Sequence, residues 1–382
     1  MTPWYTSALK DSLISKRLSS VLDLTRWASA VLVLLYHVRL NVIVQEPMIL
    51  NELRSAWLHW FYIVTDCGAQ AVICFFVLSG FLVGGSTVIE IRKGVFNVQR
   101  YFINRASRIY VVLLPALIIG YALDVYRVSA LGLSTAGGET PASYQSTTFL
   151  ANILSLQGFV SPTLGSNIPL WSLAFEVWFY ILWPFLLSLF WMNSKRIAVI
   201  MSVVTIFTIV LMMAKNHSFA SSFIIWLMGA STRVLRIRLI VKPVLAWLVA
   251  LSIAIIYPTM TPLFGIFTSQ ILGFTICIAL LSTRNSQMQT PIPGAAEYKR
   301  LANYSYSLYL VHVPMLHFFL AITSGRRSVA LELQPIGWQP LAWGALVLSV
   351  IFAYSFVFGR IFERNTPQMK RILQRSYHFI RR

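Results

Sequence analysis

The sequence predicts an all-α protein, a polytopic bundle of about ten transmembrane helices with both termini in the cytoplasm. Three observations predict it. Of 382 residues, 57% are hydrophobic and 11% charged, with a mean hydropathy of +0.70. A soluble domain carries about 25% charged residues, and a disordered chain needs low hydrophobicity, so both classes are excluded. Second, ten apolar stretches approach the roughly 20 residues that cross a bilayer. They are 26–45, 67–89, 108–128, 171–192, 197–214, 219–235, 241–258, 263–283, 303–323 and 339–360. Third, the basic residues segregate. With the N-terminus inside, 25 of the 31 Lys and Arg fall on the cytoplasmic side. Five (Arg54, Arg127, Lys215, Arg326 and Arg327) fall outside, and Arg39 lies within a span. This is the positive-inside pattern. It accounts for the net charge of +19 without nucleic acid, and part of the excess can serve anionic lipid or an anionic substrate.

Residues 1–25 form a polar cytoplasmic N-terminus with Lys10, Asp11, Lys16 and Arg17. No cleavable signal peptide is visible, so the first apolar segment is expected to be a retained span. Residues 26–360 form a single transmembrane core. Residues 361–382 form a basic tail with Phe362, Tyr377 and Phe379, suited to the inner membrane surface. The outward loop 129–170 is long and rich in Gly, Ser and Thr. Such loops are either functional or plain connectors. No internal repeat is visible, which argues against an inverted-repeat transporter. Cys67, Cys74 and Cys277 make no CxxC and read as structural, and none of the six histidines has metal-ligand spacing. No metal is expected.

Ionisable groups inside spans are costly and mark functional candidates. In the first span, Arg26 and His37 are eleven residues apart, close to three full turns, so both face one side about 16 Å apart along the axis. With Arg26 at the inner interface, His37 lies near mid-membrane. A buried histidine suits general-base catalysis, and an interfacial arginine suits a phosphate or carboxylate. Helix packing and positive-inside anchoring are the plainer readings. Asp23 precedes Arg26 by three residues, which allows an ion pair or simple helix-start stabilisation. Arg39 needs a partner, for which Asp66 and Glu176 are both candidates. In the second span, Gly80 and Gly84 form a GxxxG step that reads as close helix packing.

The cytoplasmic run from Arg92 to Tyr110 places Arg105 and Arg108 as i,i+3 neighbours on a helix entering the membrane. Paired guanidiniums favour phosphates, although ordinary anchoring predicts them too. In the fourth span, Ser172, Glu176 and Tyr180 recur every four residues as one polar stripe. Glu176 could orient a base, bind a hydroxyl acceptor or pair with an arginine. Trp171, Trp178 and Trp183 flank it as interface or packing aromatics. In the ninth span, the run from Tyr304 to Pro314, which includes Tyr309, brings His312 near mid-membrane, where His37 and His312 could line one cavity or His312 could be a satisfied core histidine. Pro314 should kink the helix and free a carbonyl.

Together these strings resemble the acyltransferase-3 family of integral membrane acyltransferases. The matching pieces are L-D-x-x-R-x10-H (Leu22 to His37), F-F-V-L-S-G-F-L (Phe75 to Leu82) and R-x-x-R (Arg105, Arg108). W-S-L-x-x-E-x-x-F-Y-x-L-W-P (Trp171 to Pro184) and Y-S-x-Y-L-x-H-x-P (Tyr306 to Pro314) complete the set. They stand in the family's order. The resemblance implies a stand-alone enzyme of the bacterial cytoplasmic (inner) membrane. Its donor is a cytoplasmic acyl-CoA, most simply acetyl-CoA. Its acceptor is a hydroxyl of a carbohydrate or glycolipid, such as a surface polysaccharide or its lipid-linked precursor. By that analogy His37 is the catalytic base, with Glu176 and Arg26 in the catalytic group. Arg26, Arg105 and Arg108 serve the donor, and Trp171, Ser172, Tyr180, Tyr309 and His312 serve the acceptor. Two positions depart from the family pattern. Leu24 stands where Gly is frequent, and Val177 where span 4 often carries a second acid. The competing expectations are a sugar or lipid transporter or flippase without acyl-CoA chemistry, and a sensor or scaffold with a degenerate site.

Overall fold

The computed structural model describes residues 14–46, 49, 55–132, 139–288, 290–324 and 338–380. Lys10, Asp11, Arg54, Arg326 and Arg327 lie outside these, as do the side chains of Tyr377 and Phe379. In chain order the helices begin with α1 (Lys16–Val42), α2 (Ala56–Thr65) and α3 (Gly68–Ser79). A π-helical turn (Gly80–Gly84) leads into α4 (Gly85–Arg92), followed by α5 (Val98–Ser129), α6 (Ser146–Ile153) and α7 (Leu170–Leu186). Then come α8 (Lys195–Lys215), α9 (His217–Val234), α10 (Pro243–Phe264), α11 (Phe267–Asn285) and α12 (Ala295–Ala302). The last are α13 (Ser305–Ser324), α14 (Trp338–Ile361) and α15 (Thr366–Ile380). There is no strand among the described residues.

Each of the ten predicted apolar stretches overlaps a helix, although 171–192 runs six residues past the end of its α-helix at Leu186. Eight helices among the described residues are long and apolar enough to cross a membrane, and α7 is a shorter apolar helix. The chain is thus an all-helical, multi-pass membrane protein. Two helices extend well beyond their apolar stretches. The first starts at Lys16 rather than 26, and α5 starts at Val98 rather than 108. Hydropathy marks only the lipid-matched part of a helix, whereas its start is set by capping. The Asn97 side chain accepts the Arg100 N–H at 2.8 Å and so begins α5 ahead of the apolar run. α2 was not foreseen. At ten residues it rises only about 15 Å.

The chain divides into two compact units. Unit 1 comprises residues 1–29, 70–96 and 179–302. Its core is the crossing of the π turn with α9. A Cβ added at Gly80 would sit 1.9 Å from the Trp226 carbonyl oxygen, and one at Gly229 would sit 2.2 Å from that of Val77. Backbone therefore meets backbone here, as the GxxxG step suggested. The indole of Trp226 is fully buried and donates to Ser79 Oγ at 3.1 Å. Ser79 also shares a hydrogen with the Tyr180 hydroxyl at 2.9 Å. Phe179 packs on Phe219, Phe223 and Trp226 around this point. On α8 and α10, Ile200, Val203, Phe207, Val244, Leu248 and Leu251 are exposed, an apolar surface suited to lipid tails. Cys74 and Cys277 are buried free thiols, as is Cys67 in the other unit.

Gly80→Ala is expected to destabilise the protein by about 1–3 kcal/mol or more, because the backbone itself must move. Gly344→Ala in α14 meets nothing within 4 Å and is expected to be neutral or slightly stabilising. Paired thermal melts in detergent check this. Equal melting points would contradict the interlocked crossing.

Unit 2 comprises residues 30–69, 97–178 and 303–382. It is organised around α13, which packs on α5 and α14, while α15 lies along α5. Pro314 sits inside α13 and rests close to Gly120 of α5, where a Cβ would come within 3.2 Å of its ring. A proline cannot donate to the carbonyl four residues earlier. Here that carbonyl belongs to Leu310, and Asn167 Nδ2 takes it at 2.8 Å. The freed group anticipated for Pro314 is thus satisfied by the loop that precedes α7. Asn167→Ala is expected to cost about 1–3 kcal/mol by orphaning a buried carbonyl. Chemical or thermal denaturation of this variant, beside Asn167→Asp, reads that loss, and an unchanged melting point would contradict it.

Candidate functional site

The predicted residues fall into both units. Arg26 lies in unit 1 and pairs with Asp23 at 3.7 Å, the i,i+3 contact that their spacing allowed. Tyr180 also lies in unit 1, bonded to Ser79. The other site candidates, among them His37, Glu176 and His312, belong to unit 2.

Within unit 2 the two mid-span histidines meet. His312 Nε2 lies 3.2 Å from His37 Nδ1, with ring centroids 4.9 Å apart. Each ring also touches its own helix. His37 Nδ1 is 2.9 Å from the Val33 carbonyl oxygen. His312 Nδ1 is 3.0 Å from that of Leu308 and 2.8 Å from that of Tyr309. His312 is 1% exposed, while His37 is half-buried. His37 is therefore the less buried residue of the pair.

Beside this pair, the Tyr309 hydroxyl meets Ser172 Oγ at 2.6 Å and donates to the Pro169 carbonyl at 3.2 Å. Both side chains are buried. Ser172 and Tyr309 thus bond each other across two helices, a pairing that the sequence, which offered both as substrate-binding candidates, did not give. Glu176 is half-buried one turn beyond Ser172. Trp171 stacks edge-on against Phe175 at 5.3 Å. On α5, Arg105 is half-buried and Arg108 exposed, one turn apart.

Arg39, left with two possible partners by the sequence, pairs with Asp66 at the end of α2 and with Gln45 Oε1 at 2.9 Å. The rings of Tyr36 and Tyr62 flank its guanidinium at 5.6 and 5.5 Å. Glu176 is therefore not spent on Arg39.

Sequence reasoning missed a second polar cluster. Arg127 is fully buried and donates through one nitrogen to both Glu139 oxygens at 2.9 Å, to Asp124 at 3.3 Å and to the Tyr144 hydroxyl at 3.1 Å. Tyr144 in turn donates to Glu139 at 2.8 Å. Burial, and then the Asp124 charge, push the Tyr144 hydroxyl up to about 12, so it stays a neutral donor. Asp124 Oδ2 accepts the Ser166 N–H at 2.8 Å and its hydroxyl at 3.0 Å. Gly165, at φ +54°, permits this approach, because a Cβ there would lie 2.2 Å from Asp124 Oδ2. The outward loop predicted at 129–170 is therefore, from Glu139 onward, a built structure pinned to α5.

This cluster reaches toward the histidines. His317 Nδ1 is 3.7 Å from Glu139, and its Nε2 is 3.2 Å from Asn41 Oδ1. Asn41 Nδ2 donates to the His37 carbonyl at 2.8 Å. The signal in the sequence was Asp124, a carboxylate inside an apolar stretch and three residues before an arginine. Among the described residues no group of three or more His, Cys, Asp or Glu could hold a metal ion.

Comparison with known proteins places the sequence in a family. An acyltransferase-3 sequence model, described as "Acyltransferase domain", matches residues 20–360. An uncharacterized protein of Haemophilus influenzae is 29% identical over 143 residues, covering 36% of this chain and 57% of that protein. The match thus spans just over half the relative's length. No solved structure matches the chain. With almost its whole length covered by one family model, and with helices apolar enough for repeated membrane crossing, the chain belongs to the acyltransferase-3 family of membrane acyltransferases.

Proposed function

We propose that the protein transfers an acyl group, acetyl in the simplest case, from a cytoplasmic acyl-CoA to a sugar hydroxyl, with His37 as general base. The observation that carries this reading is the half-buried His37 paired with buried His312, inside a chain of the acyltransferase-3 family. The acceptor hydroxyl oxygen attacks the thioester carbonyl while His37 takes its proton. The C–S bond breaks, and the CoA thiolate recovers that proton from the imidazolium. An ester and a free thiol result, with no net proton change. Such base catalysis is worth about 10²–10⁴ in rate.

Arg105 and Arg108 take the CoA phosphates, for which paired guanidiniums are suited. The family resemblance gives Arg26 the same role. Glu176 is the remaining carboxylate of the span-4 motif and serves the acceptor or orients the base. Trp171, Ser172, Tyr180, Tyr309 and His312 were grouped with the acceptor by resemblance. Trp171 is the half-buried member of that group, and with half-buried Glu176 of the catalytic group it is the residue we assign to direct contact. The reaction belongs to a bacterial inner membrane, with a surface polysaccharide, or the glycolipid precursor of one, as acceptor.

The test measures thermal stabilisation of detergent-purified protein by acetyl-CoA, succinyl-CoA and free CoA. A ligand at a hundredfold excess over Kd adds about 2.7 kcal/mol. Stabilisation by acyl-CoA that disappears in Arg105→Ala/Arg108→Ala is the expected result. Radiolabelled acetyl-CoA given to inside-out vesicles should then label the saccharide fraction. No stabilisation at millimolar acyl-CoA, with sugar or lipid movement intact, would overturn the reading in favour of transport.

A further inference from the structure

The contacts of the two imidazoles determine where their protons sit. A lone pair facing a carbonyl oxygen is repelled, so a ring nitrogen within 3.0 Å of one carries hydrogen. His312 Nδ1 lies within that range of two carbonyl oxygens, Leu308 and Tyr309, and is therefore N–H. In a neutral ring its Nε2 is then the lone pair. That lone pair faces His37 Nδ1 at 3.2 Å. His37 Nδ1 also lies 2.9 Å from the Val33 carbonyl oxygen. Both neighbours of His37 Nδ1 are acceptors, so this nitrogen is the N–H, shared between them. The lone pair of neutral His37 is left on Nε2.

We propose that His312 is a positioning residue. Its Nε2 accepts the His37 Nδ1–H together with the Val33 carbonyl, and this second acceptor fixes the ring orientation that presents His37 Nε2 as the proton-accepting atom. This replaces the carboxylate that commonly orients a catalytic histidine. It also explains why two helix carbonyls hold a side chain that solvent scarcely reaches. When His37 becomes an imidazolium, its Nδ1–H is the more acidic donor and the bond to His312 strengthens. The contact thus favours the transition state over the ground state. The catalytic significance rests on the general-base reading of His37, whereas the tautomer assignment does not.

The experiment uses the full chain in detergent, with wild type, His312→Phe and His312→Gln. Phe keeps a ring but offers no acceptor. Gln carries a carbonyl oxygen that reaches the former Nε2 position. His312→Leu replaces Phe if the larger ring prevents folding. Two-bond proton–nitrogen spectra of ¹⁵N-histidine-labelled protein report each tautomer, with His37→Gln assigning the His37 signals.

We expect wild-type His37 to carry hydrogen on Nδ1 with Nε2 bare. Because the Val33 carbonyl still faces Nδ1 in the Phe variant, hydrogen should stay on Nδ1, but the Nδ1 resonance should shift as one of its two acceptors is lost, and Gln should restore the wild-type position. Labelled acetyl transfer in envelope vesicles should lose about tenfold or more in kcat in the Phe variant, with KM for acetyl-CoA within about twofold, and Gln should recover most of it. A His37 spectrum unchanged in the Phe variant, or equal kcat in the Phe and Gln variants, would overturn the proposal. If wild type transfers no acetyl group yet the His37 signals respond as described, the acyl-transfer reading falls and the positioning contact stands.

Discussion

Arg127→Met is expected to be the most destabilising single substitution among the polar residues described, at about 3–5 kcal/mol. The guanidinium is fully buried and neutralises two carboxylates, Asp124 and Glu139, that are themselves about 1% exposed. Removing it leaves two uncompensated charges in a site closed to water, and that penalty exceeds the worth of the hydrogen bonds alone. The effect should be strongly non-additive. Adding Glu139→Gln removes one orphaned charge while keeping the volume, so the double variant should melt above Arg127→Met. A double-mutant cycle on melting in detergent measures the coupling. A neutral single variant, or additive losses, would show that the cluster does not hold residues 139–169 to α5.

The second large effect is catalytic. His37→Ala is expected to lower acyl transfer by about 10²–10⁴ while acetyl-CoA still raises the melting temperature as in wild type. The expectation follows from the division of labour in unit 2. In the proposed reaction the donor phosphates would fall to Arg105 and Arg108, and the proton to His37. Loss of donor binding together with transfer would instead make His37 a binding group. Retained transfer would remove it from the chemistry.

The helical frame was legible because lipid imposes a simple rule. A span must be apolar over about 20 residues, and each of the ten stretches that met or approached that length overlaps a helix, eight helices among the described residues being long and apolar enough to cross. What lies between spans obeys no such rule. α2 and α6 are short helices whose formation depends on packing, and composition alone leaves such segments ambiguous. The site was legible as a set of depths. Helical spacing put His37 and His312 near the same level, and they do touch. Spacing could not give their ring contacts, because those depend on which faces of α1 and α13 meet. The same limit applied to Arg39. Two carboxylates were within chemical reason, and only tertiary structure selects Asp66. Arg127 was counted as an ordinary outward basic residue, although Asp124 one turn earlier already marked it as part of a buried pair. Pro314 was read correctly as a source of a free carbonyl, but its taker, Asn167, is 143 residues from Leu310 in the chain.

The π turn at Gly80–Gly84 has a consequence for how this segment tolerates change in length. Its closing bond runs from the Gly85 N–H to the Gly80 carbonyl, five residues back rather than four. The turn therefore holds one residue more than an α-helix would use over the same rise. Removing any one of the five would restore a regular ladder and satisfy every backbone group. It would also rotate everything beyond by about 100°. Gly85, which now faces Arg233 so closely that a Cβ would lie 2.2 Å from that side chain, would turn away. Ser79, before the turn, would keep its place against Trp226 and Tyr180. The surplus residue acts as a phase shifter, letting one helix present small residues to the same neighbour on both sides of a break in its own periodicity. Drift in sequence here is therefore constrained in number as well as in kind, since the segment can exchange residues of suitable size far more readily than it can gain or lose one.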